Sequence, residues 1–137
     1  MRRRLAREVA LKTLFAVDLG KVKPDRVLDD LLAEADLLPR DAQFARDLVK
    51  GTLAHIDEFD RLIGRQAVGW TIDRMATIDR NILRMALYEI FHRDDIPDSV
   101  AVNEAVELAK RYGDADSGKF VNGILGEVVR ARASIKE

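Results

Sequence analysis

Cysteine is absent from this chain of 137 residues, which excludes disulfide bonds and thiolate metal sites. Long apolar runs are absent too, since none approaches the ~20 residues that a helix needs to cross a bilayer. The basic start is not expected to be a signal peptide, because Glu8, Lys12 and Asp18 interrupt the apolar stretch and no small-residue cleavage pattern follows. These absences predict a soluble cytoplasmic protein that keeps its N-terminal segment.

Histidine is scarce, and His55 and His92 are far apart on different predicted elements. Their spacing offers neither a metal-binding motif nor a Ser-His-Asp set. The sequence also lacks a glycine-rich loop that would hold a phosphate. We therefore predict that the chain is not an enzyme and that it needs neither a metal ion nor a cofactor.

Positive charge is concentrated at the start of the chain, although the net charge at pH 7 is -1. Any binding to a polyanion must therefore come from a local patch. The basic residues of the first 12 positions, which contain one acid, are Arg2, Arg3, Arg4, Arg7 and Lys12. Arginines in the first turn oppose the helix dipole at a cost of up to about 1 kcal/mol each, so helix stability does not explain them. Two interpretations of the arginine-rich start remain open, a solvated charged helix end and an anion-binding patch.

Helical periodicity runs through the chain, and no segment alternates convincingly between apolar and polar residues as a strand does. A first helix is predicted over residues 3–19. Pro24 and Pro39 suit the first turns of the next two helical segments. The segment after Pro39 is long, and Gly51 or the residues around His55 are expected to bend or break it.

The second half of the chain contains three further predicted helices. Their expected starts are short polar residues, namely Thr77, Asp98 or Ser99, and Asp116 or Ser117. Gly64, Gly69 and Trp70 mark a packed elbow before these helices, and Trp70 is expected to fill its seam. We predict an all-α chain of about seven helices. It is expected to form a single domain over residues 1–137, with subdomains over about 1–68 and 69–137.

The segment from Asp116 to Gly123 combines a helix start with chemistry that suits RNA. Free N–H groups and the helix dipole attract phosphate to such an end. Lys119, Phe120 and Asn122 can offer charge, a stacking face and a base-edge hydrogen bond. Phe120 also belongs to an apolar helical stripe, so packing in the core is the alternative interpretation of its ring.

Three blocks of sequence resemble the NusB family of transcription antitermination factors. They are RRRLARE with ALKTLF (residues 2–8 and 10–15), IDRNILRMALYE (residues 78–89), and IP through VNEAVELAK to KFVNG (residues 96–123). Each block alone is moderately specific, and their order and spacing together are highly specific. The resemblance covers nearly the whole chain.

The resemblance implies two small helical bundles packed side by side. It implies binding to boxA, a short single-stranded element in the leader of ribosomal RNA transcripts. The implied partner is NusE, which is also a ribosomal small-subunit protein. Together they are expected to help the RNA polymerase antitermination complex read through terminators.

The resemblance also assigns roles to individual residues. The residues implied to bind RNA are Arg2, Arg3, Arg4, Arg7, Lys119, Phe120 and Asn122. The two RNA clusters are expected to form one face. The residues implied to contact NusE are Phe15, Asp79 and Asp116.

Other functions remain open at the level of sequence. One is a non-catalytic helical adaptor whose arginines meet an acidic protein partner. Another is an accessory domain that assists ribosomal RNA modification, as NusB-like domains do when fused to ribosomal RNA cytosine methyltransferases. Homodimerisation through the RNA-binding face is a further assembly that the sequence does not decide.

Overall fold

The computed structural model describes the backbone of residues 2–67 and 71–136 and the side chains of residues 3–67 and 71–133. These residues form α-helices and one short 3-10 helix, without a strand among them. The elements are α1 (Arg2–Leu19), α2 (Pro24–Ala35), α3 (Pro39–Ala54), α4 (Ile56–Gln66), the 3-10 helix (Ile72–Arg74), α5 (Thr77–His92), α6 (Asp98–Tyr112) and α7 (Ser117–Lys136). The prediction of an all-α fold with about seven helices is confirmed.

The start of α5 lies at Thr77 as predicted, whereas the start of α6 differs from the predicted capping pattern. Thr77 is already the first helical residue of α5, and the cap position falls on Ala76. Asp98 likewise begins α6 after Pro97, whose extended backbone leaves its carbonyl free to accept from the Ala101 N–H at 3.1 Å. The prediction that Asp98 or Ser99 caps this helix is wrong, because both residues are already helical and the cap position falls on Pro97, whose side chain has no oxygen to accept a hydrogen bond.

The long third segment breaks at His55 and continues as helix through Gly51. The backbone of His55 leaves the helical region (φ -120°, ψ 22°), and its N–H donates to the Thr52 carbonyl. A Cβ at Gly51 would lie 2.0 Å from Cε1 of Tyr88. Glycine at this position therefore makes room for the Tyr88 ring of α5.

The core is built around α5, which contacts α1, α3, α4, α6 and α7. Its residues Ile82, Leu83 and Leu87 are fully buried. On one side α1 packs against α2 and α3, and on the other α6 packs against α7. This arrangement agrees with two small helical bundles that share a central helix.

The predicted boundary between residues 68 and 69, and the predicted seam residue Trp70, lie outside the described residues. The boundary therefore stays a prediction. Within the described part, α4 precedes this boundary in the chain but packs against α5 and α7. None of the helices in residues 2–67 and 71–136 has the length and hydropathy needed to cross a membrane.

A network of ion pairs joins α1, α4 and α5. Asp18 Oδ2 accepts from Nε of Arg80 at 2.6 Å and from Nη1 of Arg84 at 3.1 Å. Arg84 also binds Asp60 of α4 through two hydrogen bonds of 2.7 and 2.8 Å. Burial alone would raise the pKa of Asp18, but hydrogen bonds from Arg80 and Asn81 hold it below its ordinary value. The network therefore fixes the C-terminal half of α1 against α5.

Candidate nucleic-acid interface

Arg3 lies on the surface at the start of α1, where a carboxylate and an aromatic ring contact it. Its Nη2 is 3.4 Å from Asp95 Oδ2, and about half of each side chain is exposed. Its guanidinium carbon is 4.3 Å from the centre of the Phe44 ring. A cation over an aromatic face is held in place while its N–H groups stay available to solvent. Arg3 can therefore meet a phosphate with little rearrangement.

Arg4 is paired with a carboxylate from α6. Its Nε and Nη2 donate to the two carboxylate oxygens of Glu104 at 3.0 and 2.7 Å. The guanidinium of Arg4 lowers the pKa of Glu104, and the Arg4 side chain is 52% exposed. Exposed ion pairs are weak in water, so a phosphate can compete with Glu104 for this arginine.

Arg7 differs from the other two, because it is buried. Its Nη2 donates to Glu89 Oε1 at 2.6 Å and its Nε contacts both oxygens of that carboxylate. Arg7 is 4% exposed and Glu89 1%. Burial raises the pKa of Glu89, and the guanidinium of Arg7 opposes that rise. The buried pair ties α1 to α5 directly beneath the exposed arginines.

At the start of α7, the three residues predicted to bind RNA differ in exposure. Lys119 and Asn122 are exposed, whereas Phe120 is half-buried and packs against the core. Residues two apart on a helix are separated by about 200° around its axis, so Phe120 and Asn122 face different sides of α7. A Cβ at Gly118 would lie 3.1 Å from Cγ of Lys110, which shows how closely α7 approaches α6 there.

Phe120 lines a groove of about 400 Å³ together with acidic residues. The groove is lined by Arg74, Met75, Ala76, Asp79, Asp114, Asp116, Ser117 and Phe120. Asp79 is buried, and its Oδ1 has no hydrogen-bond partner. Burial raises the pKa of Asp79, although a hydrogen bond from Ser117 opposes the rise. Asp79 and Asp116, which are predicted to contact NusE, thus line the same groove as Phe120, which is predicted to bind RNA.

Phe15, the third residue predicted to contact NusE, lines an adjoining groove of about 580 Å³. The residues around it are Leu11, Lys12, Phe15, Ala76, Thr77, Ile78 and Tyr112. Ala76 lines both grooves, so Phe15 and Asp79 belong to one stretch of surface at the start of α5. The hydroxyl of Tyr112 donates to Glu8, which connects α6 to α1 beside this surface.

The two predicted RNA clusters lie on different sides of α6. On one side Glu104 binds Arg4, and on the other Val106 and Lys110 approach Gly118 of α7. Helix α6, on which Lys110 is exposed, therefore lies between the two clusters, and the single RNA face expected for them stays a prediction. The sequence reasoning missed Glu104 as an acid among the arginines, because it is 100 residues from Arg4 in the chain.

Comparison with known proteins agrees with the all-helical fold. The NusB family model matches residues 4–130. The transcription antitermination protein NusB of Desulforamulus reducens is 51% identical over 129 residues, which cover 94% of this chain and 90% of that protein. The NusB of Symbiobacterium thermophilum is 53% identical over 138 aligned residues, covering 95% of this chain and 90% of that protein.

Solved structures of NusB proteins also match over nearly the full length. NusB of T. maritima is 36% identical, with a TM-score of 0.87, and the match covers 95% of this chain and 91% of that one. A structure of NusB and NusE in complex with double-stranded RNA matches with 29% identity and a TM-score of 0.86, over 95% and 97% of the two chains. Relatives of this kind are transcription antitermination proteins, in agreement with the prediction that the chain is not an enzyme. This chain belongs to the NusB family.

Proposed function

We propose that this protein is a cytoplasmic transcription antitermination factor that binds boxA RNA together with NusE and acts within the RNA polymerase antitermination complex. The observation that carries the proposal is the match of almost the whole chain to NusB antitermination proteins. A structural neighbour that was solved with NusE and RNA supports the same conclusion.

The exposed cations are the proposed phosphate contacts. Arg3 and Arg4 have side chains that are 47% and 52% exposed, and Lys119 is exposed on α7. Arg2, whose side chain lies outside the described residues, joins them from its position in the sequence. Arg7 supports this surface from below, since its buried pair with Glu89 fixes the first turns of α1.

The proposed base contacts come from α7. Asn122 is exposed and carries both a donor and an acceptor for a base edge. Phe120 has one part of its ring against the core and lines the acidic groove, so the accessible part of the ring is its stacking surface. Phosphate contacts position an RNA, whereas base contacts give the sequence preference.

The two adjoining grooves are the proposed NusE surface. Asp79 and Asp116 give one groove a negative end, and Phe15 gives the other an apolar wall. A partner that presents apolar side chains to Phe15 and a cation to the exposed Asp116 would match both grooves. Homodimerisation through the RNA-binding surface is the competing assembly, and RNA is expected to displace it.

The salt dependence of boxA binding tests the phosphate contacts. If about four cations neutralise phosphates of a single strand, log affinity should fall with log salt at a slope near -3. The Arg3→Ala, Arg4→Ala double variant should flatten the slope to about -1.5 and weaken binding to every RNA of the same length. Arg61→Ala is the matched control, because Arg61 is an exposed arginine on α4, a helix without any residue predicted to bind RNA.

An unchanged slope in the double variant would remove Arg3 and Arg4 from the interface. An equal flattening in Arg61→Ala would mean that binding follows overall charge and not this surface. Either result can be separated from misfolding by far-UV circular dichroism, since both arginines make only exposed or partly exposed ion pairs.

A further inference from the structure

Two histidines and a glutamate meet where α3 gives way to α4 and where α5 ends. Nδ1 of His55 is 3.4 Å from Oε2 of Glu58, and Nε2 of His92 is 3.6 Å from the same oxygen. The three ligand atoms all lie within 4.8 Å of one another. His55 and His92 are 37 positions apart in the chain, which is why their sequence spacing predicts no metal motif.

The fold holds the two imidazole rings together before any ion arrives. The His55 and His92 rings are stacked with centroids 4.1 Å apart and planes 17° from parallel. The ring of Tyr88 also stacks with that of His92, with the two ring centroids 5.8 Å apart. Gly51 makes room for the Tyr88 ring, and Phe59 packs against both histidines at 5.9 Å. Aromatic packing therefore keeps both imidazoles within reach of the Glu58 carboxylate.

We propose that His55, Glu58 and His92 form a binding site for a divalent transition-metal ion, with Zn²⁺ as the reference ion. Zinc bonds of about 2.0–2.2 Å to nitrogen and oxygen in a tetrahedral arrangement place neighbouring ligand atoms roughly 3.3–3.5 Å apart. The two observed nitrogen-to-oxygen distances, 3.4 and 3.6 Å, lie close to that range. Because the two imidazoles are stacked face to face, one ring must turn out of the stack before both ring nitrogens and the Glu58 oxygen can point at one ion.

The donor set determines the class of ion. Two imidazoles and one carboxylate suit zinc, nickel, cobalt and copper, whereas magnesium and calcium prefer oxygen ligands. The side chains of His55, Glu58 and His92 are between 31% and 43% exposed, so an ion can enter from solvent. Three protein ligands leave a fourth position for water.

Binding would link the start of α4 to the end of α5. Glu58 belongs to the first turn of α4, and His92 is the last residue of α5. An ion that binds only the folded protein stabilises it by mass action. Thermal unfolding should therefore shift upward with Zn²⁺ concentration, and the shift should need all three ligands.

The test is a titration of the tag-free protein with ZnCl₂ against a chromophoric chelator, with thermal unfolding as a second readout. We expect one ion per chain in the wild type, and about tenfold or greater weakening in His55→Asn, Glu58→Gln and His92→Gln. Asp57→Asn is the matched control, because Asp57 is an exposed acid beside Glu58 that does not belong to the group. It should bind Zn²⁺ within about twofold of the wild type, since it keeps every ligand.

Proton NMR of the imidazole rings separates a joint site from a single surface histidine. The chain has two histidines, so their ring signals can be assigned with the variants. Both rings should shift together with one equivalent of Zn²⁺, and MgCl₂ should shift neither. Absence of one-to-one binding in folded protein, a shift confined to one ring, or equal affinity in His92→Gln would overturn the site.

Discussion

Replacing Arg7 with alanine should destabilise the fold far more than replacing its exposed neighbours. The Arg7 side chain is 5% exposed and that of Glu89 is 2% exposed, so the truncation leaves a buried carboxylate without its counter-charge. Breaking a buried pair in this way costs about 3–5 kcal/mol. Small proteins lose about 1–3 kcal/mol of stability per molar urea, so the unfolding midpoint should fall by roughly 2 M.

The pH dependence of this loss follows from the same pair. Burial raises the pKa of Glu89, and removing Arg7 removes the group that opposes the rise. A folded-state pKa above the unfolded one favours folding at low pH, and that contribution is lost as pH rises through the folded pKa. Arg7→Ala should therefore be most destabilised at neutral pH and recover part of the loss as the pH falls.

Urea denaturation of a small set of variants measures these effects. Arg3→Ala is the control, since its pair with Asp95 is half-exposed and should change stability by no more than about 1 kcal/mol. The Arg7→Ala, Glu89→Gln double variant should be more stable than Arg7→Ala alone, because no buried charge remains. Equal stabilities of Arg7→Ala and Arg3→Ala, with binding lost only in the former, would refute the structural role of Arg7.

Four further substitutions separate packing, charge and binding. Asp79→Asn should become more stable relative to the wild type as the pH rises. Burial raises the pKa of Asp79, so ionisation of this carboxyl lowers the stability of the wild type at higher pH. Unfolding at pH 4 and pH 7 measures this difference, and NusE binding should weaken in the variant. Gly51→Ala should destabilise by about 1–3 kcal/mol through its collision with Tyr88. Gly64→Ala, which has nothing within 4 Å of the added Cβ, should stabilise the protein by about 0.5–1 kcal/mol. Equal unfolding temperatures of Gly51→Ala and Gly64→Ala would contradict both of these predictions. Phe120→Ala should weaken RNA binding by about 1–3 kcal/mol if the ring stacks on a base, whereas a loss confined to stability would leave it a packing residue.

The helices themselves were predictable because periodicity, proline and glycine act locally. Pro24 and Pro39 begin α2 and α3 as expected, and α1 ends at Leu19. For the helix break within residues 39–66, the sequence left two candidate positions, Gly51 and the residues around His55. The choice depends on the Tyr88 ring of a distant helix, which no local pattern encodes.

The predicted site could not be derived in the same way, because exposure is set by tertiary contacts. Arg4 and Arg7 belong to the same arginine-rich start, yet one is half-exposed and the other buried against Glu89. The partner acids Glu89 and Glu104 are more than 80 residues away in the chain. The meeting of His55 with His92 depends on the same long-range packing.

Fluorescence anisotropy of a labelled boxA RNA, with and without NusE and beside a scrambled RNA of equal length, measures whether this protein recognises boxA. We predict selective binding to boxA that NusE strengthens, with the gain reduced in Asp79→Asn and the salt slope reduced in the Arg3→Ala, Arg4→Ala variant. Equal or absent binding to both RNAs, by folded protein with NusE present, would contradict it.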